Sequence, residues 1–309
     1  MTNPVQVHRG SSATSTVVAL HCSLGSGRHW ASLAEELAGK YVFIAPDISG
    51  YGNDAGPSGL PTTLAEEVHL LNDRIDDAVG PIHLVGHSYG GAVAFKIATD
   101  SRLAHRICSL TLIEPVLPTI LRESGPDRQL YDHFVRLAQA VYEDLWSGVP
   151  WNAIDKFATF WKGSEPNQEI PPKSRLRMIE HAERLAFDFA AVLAEQGVTA
   201  TAAAIKVPTL LLSGGLSPYL TQRIVWRLTN AITGATCPPR GTCSCCRIPP
   251  RSSPKSSGTS HWRIVWSKGP RSSRVGRCRQ ITLLELDISL RKGACLCGAI
   301  RAFALQAAM

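Results

Sequence analysis

The chain of 309 residues predicts an α/β architecture: a mostly parallel sheet flanked by helices, with a helical cap inserted between two strands. Three observations carry this reading. Short apolar runs alternate with amphipathic stretches over the first 235 residues. One apolar run passes into a helix through a glycine-rich turn. Between residues 114 and 205 a purely helical pattern interrupts the alternation.

Residues 16–21 (Thr-Val-Val-Ala-Leu-His) read as a buried strand, and 29–38 as the helix after it. The link, Cys22-Ser23-Leu24-Gly25-Ser26-Gly27, is rich in small residues and can turn a backbone amide towards a neighbouring site. Taken alone, it reads equally well as an ordinary strand-to-helix connection. Residues 82–85 form a second buried run and 92–98 a helix of good formers, separated by Gly86-His87-Ser88-Tyr89-Gly90. This is G-x-S-x-G in strand–turn–helix context, the pattern that exposes a serine on a sharp turn. The helix after it points its amide end at Ser88, which favours negative charge developing there. The competing reading is a structural Gly-Ser turn.

A third strand over 109–114 ends in Glu114-Pro115, so a carboxylate sits at a C-terminal strand edge, where ligands meet parallel sheets. Residues 129–146, 152–161 and 174–196 carry apolar residues at helical spacing and form the cap. Phe134, Trp146, Trp151, Phe157, Phe160, Trp161, Phe187 and Phe189 would make its apolar lid, although helix-on-helix packing accounts for many of them. A further strand begins near Lys206, with a helix over 218–232.

His21-Cys22-Ser23, then Ala45-Pro46-Asp47-Ile48-Ser49-Gly50-Tyr51-Gly52, then the 86–90 turn, resemble the α/β-hydrolase superfamily of serine esterases, lactonases and C–C hydrolases over roughly residues 14–235. The resemblance implies the α/β-hydrolase fold, Ser88 as nucleophile, and the amides of Ser23 and Tyr89 as the donors of an oxyanion hole. It implies that Asp47 organises a loop. Haloalkane dehalogenases and most epoxide hydrolases carry aspartate where this chain has Ser88. Cys22 departs from the pattern, which usually has glycine there. The family often places the triad acid where Ser217 stands here; Glu114, at the preceding strand's end, is the expected acid, against a reading as a cap-hinge glutamate.

The composition changes abruptly near residue 235. Residues 236–309 hold 13 Lys+Arg against 2 Asp+Glu, and the preceding 235 hold 19 against 23, so the whole positive excess lies in the tail. Seven of the nine cysteines lie there too. Cys237, Cys243, Cys245 and Cys246 lack the paired C-x₂-C spacing of a zinc site. A basic arm for nucleic acid or acidic lipid is a second reading, weakened by sparse aromatics. The third comes from the genetic code. Starting codons one base earlier, on the third base of each old codon, permits V-P-A-A-G-H-M-L-L-L-P-D-S-P-E-I across Thr236 to Ser253, with the histidine codon straddling Gly241 and Thr242. That string resembles the strand, turn and histidine segment the superfamily carries after this helix. The tail is therefore read as a frame-shifted translation, without ordered packing, leaving an exposed sheet edge.

The organisation is a first core part (1–113), a cap (114–205), a second core part (206–235) and the tail (236–309). Only His261 follows the last core strand, and its surroundings do nothing to aim it. His21 and His87 would shape the pocket, and His83 reads as a core residue. The expected function is a serine hydrolase acting on an ester, lactone or similar carbonyl, impaired by loss of its histidine. The alternative is a non-catalytic binding protein on the same fold. The substrate is expected to be a small, apolar molecule. No cofactor or metal is implied, and neither nucleic acid nor membrane is expected as a partner. Absence of an apparent signal peptide or membrane span points to the cytoplasm. Oligomeric state is left open.

Overall fold

Five strands run parallel in the middle of the sheet: β2 (Thr16–Leu20), β3 (Val42–Pro46), β4 (Ile82–His87), β5 (Ile107–Ile113) and β6 (Thr209–Gly214). In the computed structural model β1 (Val5–His8) lies antiparallel on β3 at one edge, giving the order β1-β3-β2-β4-β5-β6. The structure describes residues 13–53, 60–123, 125–162, 170–214 and 217–234, with the backbone of strands at 5–8, 259–260, 262–267 and 290–291.

Both sheet faces are covered, so the strands are continuous apolar runs; every residue of β2 and β3 is buried. Val18, Leu20 and Leu84 face one core, shared with α2 (Leu64–Ile75), α3 (Tyr89–Thr99) and α9 (Tyr219–Thr233). Val17, Ala19 and Val85 face a second, smaller core built with Trp30 and α1 (Ala31–Leu37). The chain leaves β2 for β3 on one side and returns as β4 on the other. That reversal opens a crevice at the C-terminal ends of β2 and β4, the place where open parallel sheets bind ligands. Ser23 follows the first of these strands and Ser88 the second.

The cap comprises α4 (Gly125–Trp146), α5 (Pro150–Lys162), α6 (Pro172–Glu180) and α7 (Ala182–Ala194), followed by α8 (Val198–Ala203). Three expectations are corrected. The stretch 174–196 is two helices, because the chain bends at His181, whose ring sits edge-on to Tyr51. Trp146 is 82% exposed and Trp151 48%, so both lie on the outer surface and not on the lid's inner face. β6 is not the sheet's edge: after β7 (Thr259–Ser260), β8 (Trp262–Ser267) pairs with it antiparallel, and β9 (Leu290–Arg291) pairs with β7. The tail thus supplies the hydrogen bonds that β6 would otherwise offer to solvent.

Apart from those strands, the tail's readings, including the cysteine set, the shifted histidine codon and His261, lie outside the described residues. Among the described residues, no helix is long and apolar enough to cross a membrane, and no group of three or more potential ligands gathers as a metal site.

Candidate active site

Ser88 joins β4 to α3 at φ 55 and ψ −118, a region that crowds any side chain. Close backbone approaches explain the flanking glycines. A Cβ on Gly86 would lie 2.3 Å from the Gly90 carbonyl oxygen, and one on Gly90 2.3 Å from that of His21. The turn is held from both sides. The Ser88 amide donates to the Ile113 carbonyl at 2.9 Å, and its own carbonyl accepts from Gly91, Ala92 and Val116 at 3.0, 3.2 and 3.2 Å.

Ser88, Tyr89 and Ser23 line one cavity of about 20 Å³, room for little more than a water. Its remaining wall is apolar except for Asp188: Val116, Phe134, Phe157, Trp161, Leu185, Phe189 and Val192. The structure therefore brings the expected nucleophile and both expected oxyanion residues together, and four of the eight expected lid aromatics reach them. Neither the Ser23 nor the Tyr89 amide is engaged in a hydrogen bond among the described residues. The Ser23 loop is fixed by Asp47, whose carboxylate accepts from the amides of Gly27 (2.6 Å) and Asn53 (2.9 Å). A Cβ on Gly52, at φ +64, would strike that carboxylate. Burial pushes the Cys22 thiol up to about 11, which keeps it protonated near neutrality.

No histidine lines the cavity among the described residues. His21 is locked in the loop: the Ile48 amide donates to Nε2 at 2.9 Å, leaving Nδ1 to donate to the Cys22 carbonyl at 2.8 Å. Burial lowers its pKa to about 4. The His87 ring stacks on His29 at 5.8 Å, and its buried Nδ1 makes no hydrogen bond among the described residues. Burial brings it down to about 3, with the nearby His29 and His21 adding to the effect. His83 packs against Tyr41 and bonds Ser109 at the opposite ends of the strands.

Glu114 does not line the cavity; it stands one strand over. The parallel register pairs His87 with Ile113, so Ser88 and Glu114 leave adjacent strands side by side, both at positive φ (55 and 48). Glu114 Oε1 accepts from the Gly214 amide at 2.7 Å and from the Ser217 hydroxyl. Its Oε2 takes no hydrogen bond among the described residues. The two strand ends where an acid could sit therefore meet at one carboxylate. Burial pushes that carboxyl above its usual range.

Sequence reasoning missed the polar floor beneath the cap. Arg184 and Asp188 sit four apart on α7, both buried, and face the core with Leu185 and Phe189. Arg184 donates to Glu67 of α2 at 2.6 Å, to the Pro61 carbonyl at 3.1 Å and to the Tyr89 hydroxyl at 3.1 Å. Asp188 Oδ2 accepts from the hydroxyls of Ser23 (2.5 Å) and Tyr51 (2.7 Å), and Oδ1 lies 3.0 Å from the Arg184 guanidinium. Glu67 also accepts from the Ser49 hydroxyl at 2.9 Å. Burial raises the carboxyls of Glu67 and Asp188, while Arg184 opposes the shift in each. The available signal was an Arg/Asp pair at i, i+4 on the apolar stripe of a helix, where charge is out of place.

The profile of the alpha/beta hydrolase family matches residues 17–241. Among curated proteins, the chain is 32% identical over 113 residues to a dihydrolipoyllysine-residue acetyltransferase component of the acetoin cleaving system of Cupriavidus necator, 36% of this chain and 29% of that one. It is 33% identical over 109 residues to lipase LipV of Mycobacterium tuberculosis (35% and 40%), and 36% identical over 101 residues to a soluble epoxide hydrolase of a Corynebacterium species (31% and 34%). These matches span well under half the length of each relative. A crystal structure of an alpha/beta hydrolase from Sphaerobacter thermophilus superposes with TM-score 0.52 at 25% identity, covering 74% of this chain and 85% of that one. MenH from Staphylococcus aureus gives 0.57 at 18% identity, covering 76% and 88%, a likeness of fold alone.

Proposed function

The chain belongs to the alpha/beta hydrolase family, and from that premise we propose that it is a serine hydrolase that takes an ester, lactone or similar carbonyl through an acyl-enzyme on Ser88. The observation that carries this reading is the strained serine at the end of β4, sharing a largely apolar cavity with Ser23 and Tyr89. Ser88 Oγ attacks the carbonyl carbon and gives its proton to a base. The amides of Ser23 and Tyr89 hold the oxygen that becomes negative. The leaving alcohol takes a proton as the tetrahedral species collapses, and water then attacks the acyl-enzyme by the same route. The reaction draws on these groups alone and needs no cofactor.

Glu114 is the acid that would orient the base, with Ser217 and the Gly214 amide holding one oxygen and leaving the other for an imidazole N–H. The base itself is the displaced histidine whose shifted codon straddles Gly241 and Thr242. The family match ends at 241, beside that codon. Without the histidine, turnover falls by several orders of magnitude, and residual rate comes from the oxyanion donors and binding. A second reading, a binding protein that keeps the pocket, is favoured by one observation: no histidine lines the cavity among the described residues.

Hydrolysis of a p-nitrophenyl ester series by the full chain and by Ser88→Ala decides between them. The hydrolase reading expects a slow, Ser88-dependent rate; equal rates in the two proteins support the binder. Sequencing the gene around codon 235 tests the displaced base, and codons that exclude histidine in the shifted frame end that part of the proposal.

A further inference from the structure

A second space, an open groove of about 510 Å³, runs between α4 and α5 on the exposed side of the cap. It shares no lining residue with the cavity beside Ser88. His133, Leu137 and Ala140 recur at i, i+4 and i+7, so they line the groove from one face of α4. Phe160 of α5 meets them: its ring stacks on His133 at 5.5 Å between centroids and 24° between planes. The same ring packs on Phe134 and Trp161, at 6.2 and 5.1 Å, which fixes its position. The groove therefore has a preformed apolar base, and its volume falls in the range of small-molecule sites, about 300–1,000 Å³.

Charge at the rim decides what that base can take. Lys156 reaches Asp144 at 2.5 Å, and Arg175 reaches Asp155 at 2.5 Å, so these two lining charges are balanced. Arg136, an exposed residue one turn from His133 and Ala140, also lines the groove. It makes neither ion pair nor hydrogen bond among the described residues. One positive charge is thus left over beside an apolar surface. A guanidinium presents paired N–H donors that match a carboxylate. An ammonium guest is repelled by Arg136, and a neutral alcohol gains from the base alone.

We propose that the α4–α5 groove is a binding site for an amphipathic carboxylate, its apolar body on Leu137, Ala140 and Phe160 and its headgroup on Arg136. The site uses no group that acyl transfer uses, so it is independent of the chemistry at Ser88. Phe134 and Trp161, against which Phe160 packs, line the cavity beside Ser88. A guest in the groove therefore lies one aromatic layer away from that cavity.

Ligand-observed NMR titration of the full chain with octanoate, octan-1-ol and octylammonium, three heads on one tail, tests this. Octanoate is expected to bind about fivefold more tightly than octanol, with octylammonium weakest. The exposed substitution Arg136→Gln removes the gap between octanoate and octanol, and an unchanged melting temperature shows that the variant is folded. Ala140→Phe fills the groove and weakens octanoate and octanol alike. Octanoate that binds no better than octanol overturns the proposal, as does a preference that survives Arg136→Gln. Binding that ignores Ala140→Phe places the ligand elsewhere and overturns it too. So does a dimer in sedimentation that octanoate cannot disperse and that Ala140→Phe breaks, since the groove then belongs to a second copy of the chain.

Discussion

The turn around Ser88 and the floor beneath α7 face the same cavity but are held by different forces. Around Ser88 the contacts are backbone to backbone: four hydrogen bonds on one residue and two glycines whose neighbours leave no room for a Cβ. Beneath α7 they are charge to charge, one guanidinium between two carboxylates with the hydroxyls of Ser23, Tyr51, Ser49 and Tyr89 bonded to the three. The turn depends on shape and is indifferent to charge. The floor depends on charge and would tolerate much change of shape. A nucleophile needs the first arrangement, since a strained backbone fixes its oxygen to a fraction of an ångström. A cap needs the second, since buried ion pairs fix which surfaces meet without a continuous peptide between them.

The difference can be broken at either end. Gly90→Ala places a methyl against the His21 carbonyl and is expected to cost about 4 kcal/mol or more, read as a shift in urea midpoint. A loss below about 1 kcal/mol would mean the turn relaxes and is not held by shape. Arg184→Met leaves Glu67 and Asp188 buried without their cation and should cost about 3–5 kcal/mol. Adding Glu67→Gln and Asp188→Asn to it should recover most of that loss. No recovery in the triple variant would show that packing, not charge, holds the cap.

A smaller effect separates the two regions by pH. His21 and His87 have folded pKa values of about 4 and about 3, below the ordinary imidazole, so the unfolded chain takes up protons first. Their contribution is intact above pH of about 6.5 and fades as the pH falls towards about 4. Glu67 and Asp188 are raised, so their contribution has the opposite sign and diminishes as the pH rises towards their folded values. His87→Gln should therefore lose up to about 2 kcal/mol less than wild type between about pH 7 and pH 5. Parallel unfolding curves for the two proteins over that range contradict the assignment.

The same contrast governs what was legible in the sequence. Four of the five parallel strands, the Ser88 turn, the Asp47 loop and the helical stretch after β5 were readable because each is written in neighbouring residues; β3 (Val42–Pro46) was not read as a strand. Apolar runs mark strands, and a glycine on each side of a serine marks a bend that admits no side chain there. The floor was not readable, because Arg184 meets Glu67 across 117 positions and Asp188 meets Ser23 across 165. Only the misplaced charge on α7 hinted at it. Trp146 and Trp151 misled because helical periodicity gives a face without saying what covers it. The bend at His181 is a tertiary effect: Tyr51, far along the chain, receives its ring. The strand at 262–267 was not foreseen because the tail's composition has no period to read.

The central claim is that the Ser88 hydroxyl is a nucleophile waiting beside two amides without an efficient base. The direct measurement is incubation of the full chain with a fluorophosphonate, followed by mass mapping of the modified peptide. The account predicts slow attachment at Ser88, absent from Ser88→Ala. Attachment at another residue, or none after prolonged exposure, contradicts the nucleophile, and rapid saturation contradicts the missing base.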